Sequence, residues 1–218
     1  MQRDAARSER VKAMKFYNSI GPNPRVVKMF MAEKGLDVPR VEIDLMKGEN
    51  RQGAYGAVNP SGTTPALELD EGLILAEITA ICEYLEELHP SPPLIGSTPK
   101  ERAETRMWVR RIDLGIVENL ANGFRYSQGL AMFQNRVHCI PQAADDLKAI
   151  AQEKLKWLDG LIAGRKWIVG DRFTLADILL YSFLDFAAQV GQPLNPDAKN
   201  IAAWYERVKA RPSVAASA

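Results

Sequence analysis

Residues 59–88 read NPSGTTPALELDEGLILAEITAICEYLEEL: a turn, a strand, a second turn, a second strand and a helix. Asn59-Pro60-Ser61-Gly62 carries turn chemistry. Pro65 opens the apolar run Ala66–Leu69. A residue without an N–H suits the first position of a strand, or a cis bond before one. Asp70-Glu71-Gly72 turns the chain, and Leu73–Leu75 returns as the partner strand. Ile81, Tyr84, Leu85 and Leu88 then recur at helical spacing. A β-hairpin therefore feeds directly into a helix.

Upstream, residues 14–19 read as a short strand and residues 20–23 as a loop. A helix carrying Val26, Val27, Phe30 and Met31 then runs to Gly35. Asn23-Pro24 fits an N-cap followed by proline at the first helical position. In residues 40–45, Val41, Ile43 and Leu45 alternate with Glu42 and Asp44, which predicts a strand with one buried face. The order βαβ, loop, ββα is the thioredoxin-like arrangement. Its first two strands are parallel and its last two form the hairpin. Residues 1–13 are polar and mixed in charge, and read as a flexible leader. Residues 89–99 contain Pro90, Pro92, Pro93 and Pro99 and serve as a linker.

Everything after the linker has helical character. Residues 101–122 carry Trp108, Ile112, Ile116 and Leu120, and residues 124–137 continue the helix beyond Gly123. Residues 142–162 place Leu147, Ile150, Leu155, Leu158 and Leu161 on one side. Thr174 and Asp177 form a short capping box, flanked by the staple positions Phe173 and Ile178. The helix over 175–190 is apolar nearly all round, so it belongs at the centre of its domain. The predicted fold is an α/β thioredoxin-like N-terminal domain over residues 14–88 and an all-α C-terminal domain over residues 100–218.

Composition narrows the function. Of 218 residues, 46% are hydrophobic and 25% charged, with a net charge of +1. That balance points to a soluble globular protein and away from nucleic acid as a partner. No apolar run approaches membrane-spanning length. Cys82 and Cys139 make no disulfide framework, which points to a reducing, cytoplasmic setting. No Cys-x-x-Cys is present, and His89 and His138 lack metal-ligand spacing, so no metal site is expected.

The hairpin unit suits a small peptide. A cis bond at Pro65 would leave the N–H and C=O of Thr64 facing outward, as a free rung for an extended ligand. The helix start near Glu77 and Ile78 offers N–H groups and a positive dipole end to a carboxylate. The Glu77 side chain is placed to hold an ammonium. A carboxylate and an ammonium on one carbon, beside a peptide bond, describe the γ-glutamyl end of glutathione. The stretch resembles the N-terminal domain of the glutathione S-transferase family. GDRFTLADI at 170–178 and AAWYERVKARPSV at 202–214 resemble that family's C-terminal signature and last helix.

The resemblance implies a cytosolic homodimer that binds glutathione and promotes attack of its thiolate on a hydrophobic electrophile, with no further cofactor. The family's thiolate donor lies just after the first strand. The loop here reads Ser19-Ile20-Gly21-Pro22-Asn23-Pro24, with Gly21 where many bacterial relatives carry serine or cysteine. It resembles the Nu-class and Ure2-like members, in which an asparagine amide lies near the sulfur. That makes Asn23 the first catalytic candidate and Ser19 the second. Asn23 acting only as a cap stays open beside the catalytic role, and Tyr17 reads as core. The resemblance assigns glutathione contacts to Asn50, Gln52, Thr64, Pro65, Glu77 and Ile78. Ile78 stands where the family has serine or threonine, so one hydroxyl contact is lost, worth about 0.5–1.5 kcal/mol. The electrophile is expected between the domains, beside Trp108, Arg111 and Tyr126, with Phe124 and Arg125 also in reach. Two further readings stay open: a glutathione-dependent disulfide or peroxide reductase, and a non-catalytic binding protein that keeps the fold.

Overall fold

The computed structural model describes residues 9–218. Residues 1–8 of the expected leader lie outside it. Residues 9–13 form a helical turn that buries Val11, and Arg10 pairs with Asp70 at 3.6 Å. This part of the leader is therefore folded, because one apolar side chain and one ion pair tie it down.

The first unit runs to Ile95 and takes in Pro212–Ala218 as well. Its elements are β1 (Lys15–Asn18), α1 (Pro22–Glu33), β2 (Arg40–Glu42), α2 (Gly53–Val58), β3 (Ala66–Glu68), β4 (Ile74–Ala76) and α3 (Ile78–Leu88). The sheet order is β2-β1-β3-β4. β1 pairs with β2 in parallel and with β3 antiparallel, and β3 pairs antiparallel with β4. This is the thioredoxin-like arrangement. Phe16, Val26, Phe30, Leu67, Ile81 and Leu85 are fully buried and form its core.

Several local expectations change. α1 begins at Pro22, not Pro24, and Gly21 is its N-cap with φ 114°. A left-handed residue there turns the chain, and only glycine takes that conformation without strain. Pro22 then sits in the first turn, where a missing N–H costs nothing. Asn23 is thus the second helical residue, and no side chain caps this helix. β2 is three residues long and exposed throughout, because it is the sheet edge and pairs on one side only. The return strand starts one residue later than expected, since Leu73 closes the turn by accepting from the N–H of Leu69 at 2.9 Å. The short helix α2 was not expected from its sequence, GAYGAV, which shows no period.

The second unit, Gly96–Arg211, is helical. It holds α4 (Pro99–Ile112), a π-helical turn at Asp113–Val117, α5 (Glu118–Arg125), α6 (Leu130–Phe133), α7 (Ala144–Leu161), α8 (Leu175–Gln189) and α9 (Lys199–Lys209). Thr98 and Glu101 form a capping box ahead of α4. The predicted box of Thr174 and Asp177 opens α8. α8 is buried over most of its length, as its apolar circumference requires. The expected continuous helix over 124–137 is broken. After Arg125 the chain folds back, with the Ser127 and Gly129 N–H groups both donating to Phe124 O. The expected last helix divides at Pro212. Its final part, α10 (Pro212–Ala216), packs on α1 in the first unit, where the Ser213 hydroxyl donates to Glu33.

Candidate functional site

The register of the sheet brings the predicted residues together. Tyr17 pairs with Ala66, and Ala66 with Ala76. Continuing by two residues sets Thr64 level with Ser19, while on the other side β4 ends at Ala76 and Glu77 turns the chain into α3. The Ser19 and Thr64 hydroxyls meet at 2.5 Å, and the Ser19 hydroxyl also lies 3.1 Å from Ile20 O. The Thr64–Pro65 bond is cis. Neither the N–H nor the C=O of Thr64 bonds to another described residue. The rung beside the proline is thus unpaired among the described residues.

Glu77 occupies the N-cap position of α3 with φ 69° and ψ 122°, alone among the described non-glycine residues in having positive φ. Such a conformation costs about 1–3 kcal/mol and concentrates at ligand clamps. No side chain caps α3, so the N–H groups of its first turn stay open to a ligand, with the positive end of the helix dipole behind them. The Glu77 carboxylate is exposed and has no partner among the described residues.

The loop before the rung is held by residues that the sequence did not assign to the site. Tyr55 Oη donates to Thr63 O at 2.6 Å, and Asn59 Nδ2 donates to the same oxygen at 2.8 Å. Asn59 Oδ1 accepts from the Ser61 N–H and hydroxyl. An asparagine opening an Asn-Pro-Ser-Gly turn was the available signal. Asn50 is buried and gives Nδ2 to Gly62 O at 2.6 Å, while its Oδ1 is buried with no partner among the described residues. Gly62 has φ 63°, and a Cβ there would stand 3.0 Å from the backbone Asn50 O, so the position favours glycine. Gln52 is exposed and donates to Lys47 O at 3.1 Å.

Asn23 is half-buried on the first turn of α1, and its amide has no partner among the described residues. Tyr17 differs. Its hydroxyl donates to Glu68 at 2.6 Å, and that bond, with burial, pushes its pKa up to about 12. Tyr17 therefore keeps its proton and spends it on the bond to Glu68. Cys82 is fully buried, and desolvation raises its thiol well above the ordinary range, which makes it an inert core residue.

In the helical unit, Trp108 is a core side chain. It packs on Trp157 with ring centroids 6.3 Å apart, and the Arg111 guanidinium lies 5.1 Å above it. Tyr126 follows the end of α5 and is half-exposed. Trp108 and Arg111 form one cluster on α4; Tyr126 belongs to another segment. Among the described residues no group of His, Cys, Asp or Glu could hold a metal ion, and no helix is long and apolar enough to cross a membrane.

A thioredoxin-like sheet with an unpaired rung, followed by a helical unit opened by a capping box, defines a class. The comparisons agree with it. Residues 20–88 match the N-terminal domain of glutathione S-transferases, and residues 140–212 match the C-terminal domain. Glutathione S-transferase 2 of Saccharomyces cerevisiae is 35% identical over 201 residues, covering 89% of this chain and 84% of that protein. The crystal structure of a glutathione S-transferase domain-containing protein from Marinobacter aquaeolei has a TM-score of 0.86 at 36% identity, covering 92% of this chain and 99% of the other. Gtt2 from S. cerevisiae has the same TM-score at 32% identity, covering 94% and 100%. The chain belongs to the glutathione S-transferase family.

Proposed function

We propose that this chain binds glutathione in its thioredoxin-like unit and activates the tripeptide's thiol for attack on a hydrophobic electrophile. The observation that carries the reading is the Thr64 backbone rung at the cis bond, beside Ser19, together with the uncapped start of α3 at the strained Glu77. The rung pairs with the cysteinyl backbone of the ligand. The first turn of α3 takes the γ-glutamyl carboxylate, and Glu77 takes the ammonium. The family's named transferases support the activity. Chemistry then needs only a lowered thiol pKa and proximity.

Glu77→Gln keeps the shape and removes the charge that meets the ammonium. A charge-assisted bond is worth about 1.5–3 kcal/mol, so glutathione affinity falls roughly 10- to 100-fold. Titration calorimetry reads this directly, and an unchanged Kd removes Glu77 from the site.

Asn23 is the thiolate donor in this reading, because its amide is uncommitted and stands on the first turn of α1. Asn23→Ala raises the pKa of bound glutathione by about one unit, the worth of one hydrogen bond to a charged group. Ultraviolet titration of the thiolate follows it. Turnover of a chromogenic aryl halide with glutathione tests the reaction itself; turnover of a model disulfide alone would replace conjugation with reduction.

The active species is a homodimer. Supporting this, Ile150, Trp157 and Leu161 are 40, 46 and 38% exposed at helical spacing on α7, an apolar stripe that a second copy would cover. Light scattering at micromolar concentration gives twice the chain mass for the wild type and the single-chain mass for Trp157→Glu.

A further inference from the structure

A surface hollow lies in the helical unit, made by residues that the glutathione reading does not use. It is open to solvent, with a volume of about 420 Å³, and Ile162, Arg165, Lys166, Asp171, Asn200 and Arg207 line it. Three of these side chains are cations. None of the three has a carboxylate partner among the described residues, although the chain as a whole carries only +1. Three like charges in one hollow repel one another, the single carboxylate of Asp171 offsets them only in part, and a bound anion relieves the rest.

Two of the cations are held by main chain. Arg207 donates from Nε to Lys166 O at 3.2 Å and from Nη2 to Arg165 O at 3.4 Å. Arg165 donates from Nη1 to Ile168 O at 3.4 Å and lies 5.9 Å over the Trp108 ring. These bonds leave guanidinium N–H groups on both residues unspent, since each fork has five donors. Planar donor forks fixed by backbone match the oxygens of a phosphoryl group. Asp171, the one carboxylate in the lining, is exposed and unpaired, and is placed to accept a hydroxyl from the rest of the ligand. It also weighs against a large polyanion.

We infer that this cavity is a binding site for a small phosphate monoester bearing a hydroxyl group, separate from the glutathione site. The test uses the intact protein with inorganic phosphate and with glycerol phosphate, by titration calorimetry at constant ionic strength. Saturable binding is expected, tighter for glycerol phosphate than for inorganic phosphate and absent for glycerol. Arg207→Gln should weaken it at least tenfold. Because Arg207 also bonds two carbonyls, Lys166→Gln serves as a second variant that breaks no hydrogen bond, with an expected loss of several-fold. Glutathione affinity should stay unchanged in both. No saturable binding, or binding that both variants leave intact, or an effect that chloride reproduces at equal ionic strength, overturns the inference.

Discussion

Replacing Asp177 by alanine should cost about 4–5 kcal/mol of stability, a large part of the ~5–15 kcal/mol available to a folded domain. The carboxylate is fully buried between α8, α9 and the turn before α8. Oδ1 accepts from the Ile168 N–H at 3.0 Å and from Trp204 Nε1 at 2.8 Å. Oδ2 accepts from the Thr174 N–H at 2.9 Å and from its hydroxyl at 3.2 Å. Alanine strands all four donors in a dry core, and each stranded group costs about 1–3 kcal/mol less what relaxation recovers. Chemical denaturation or a thermal scan measures the loss. At about 2–4 °C per kcal/mol for a chain of this size, the midpoint falls by roughly 10–20 °C. A loss under 1 kcal/mol would mean that the network contributes little.

The same carboxyl has a pH signature. Burial pushes its pKa up to about 6, and the four donors oppose that rise without cancelling it. The folded pKa lies above the ordinary carboxyl value of 3.8, so between those two values the folded chain holds the proton more tightly than the unfolded one. Stability from this group is therefore fully present below pH 3.8 and is lost as pH rises through 6. The change is about 3 kcal/mol, at 1.36 kcal/mol per pKa unit. Asp177→Asn has no such proton. The wild type's advantage over Asp177→Asn should thus widen on acidification from pH 7 toward pH 4, and denaturation of both proteins across that range checks the sign.

The Asp177 network also marks what could be read without coordinates. Its capping box was legible because Thr174 and Asp177 lie three residues apart and the geometry is local. Its bond to Trp204 was not, since no spacing rule links residues 27 apart. The thioredoxin-like unit divides the same way. Alternation and turn residues located β1, β3, the hairpin and α3. The exposure of β2 depends on which strand lies at the sheet edge, and that is set by pairing rather than by period. Asn23 slipped from cap to second helical residue because Gly21 could supply a positive φ, which composition alone does not announce. At the candidate site, the cis bond before Pro65 and the helix start after Glu77 were legible from proline and helix-start chemistry. The supports at Tyr55 and Asn59 depend on where Thr63 O points, which only tertiary structure fixes.

Lys34→Met should destabilise the first unit by about 3–5 kcal/mol, the cost of leaving one charge of a buried pair uncompensated. The pair is buried outright: Lys34 Nζ lies 2.6 Å from Glu86 Oε2, with side chains 0% and 2% exposed. Burial pulls the Lys34 pKa down, and the bond to Glu86 opposes that pull. An isolated buried pair often gives way to apolar residues at no net cost, because the desolvation of both ions disappears together. This pair is not isolated. Nζ also donates to His89 O at 2.6 Å and Pro92 O at 2.8 Å, and Glu86 accepts from the Leu94 and Ile95 N–H groups at 3.2 and 2.9 Å. The two side chains thus serve as the hydrogen-bond partners of four backbone groups in residues 89–95. No repeating secondary structure is available to satisfy those groups in a proline-rich stretch. The double variant Lys34→Met/Glu86→Leu should therefore recover the charge term and keep the backbone term. Its loss should be smaller than the sum of the two single losses by about 1–3 kcal/mol, yet stay well above zero. Urea denaturation of all four proteins measures both quantities. A double variant as stable as the wild type would mean that residues 89–95 satisfy their backbone groups by other means, and that the pair is dispensable to the end of this unit.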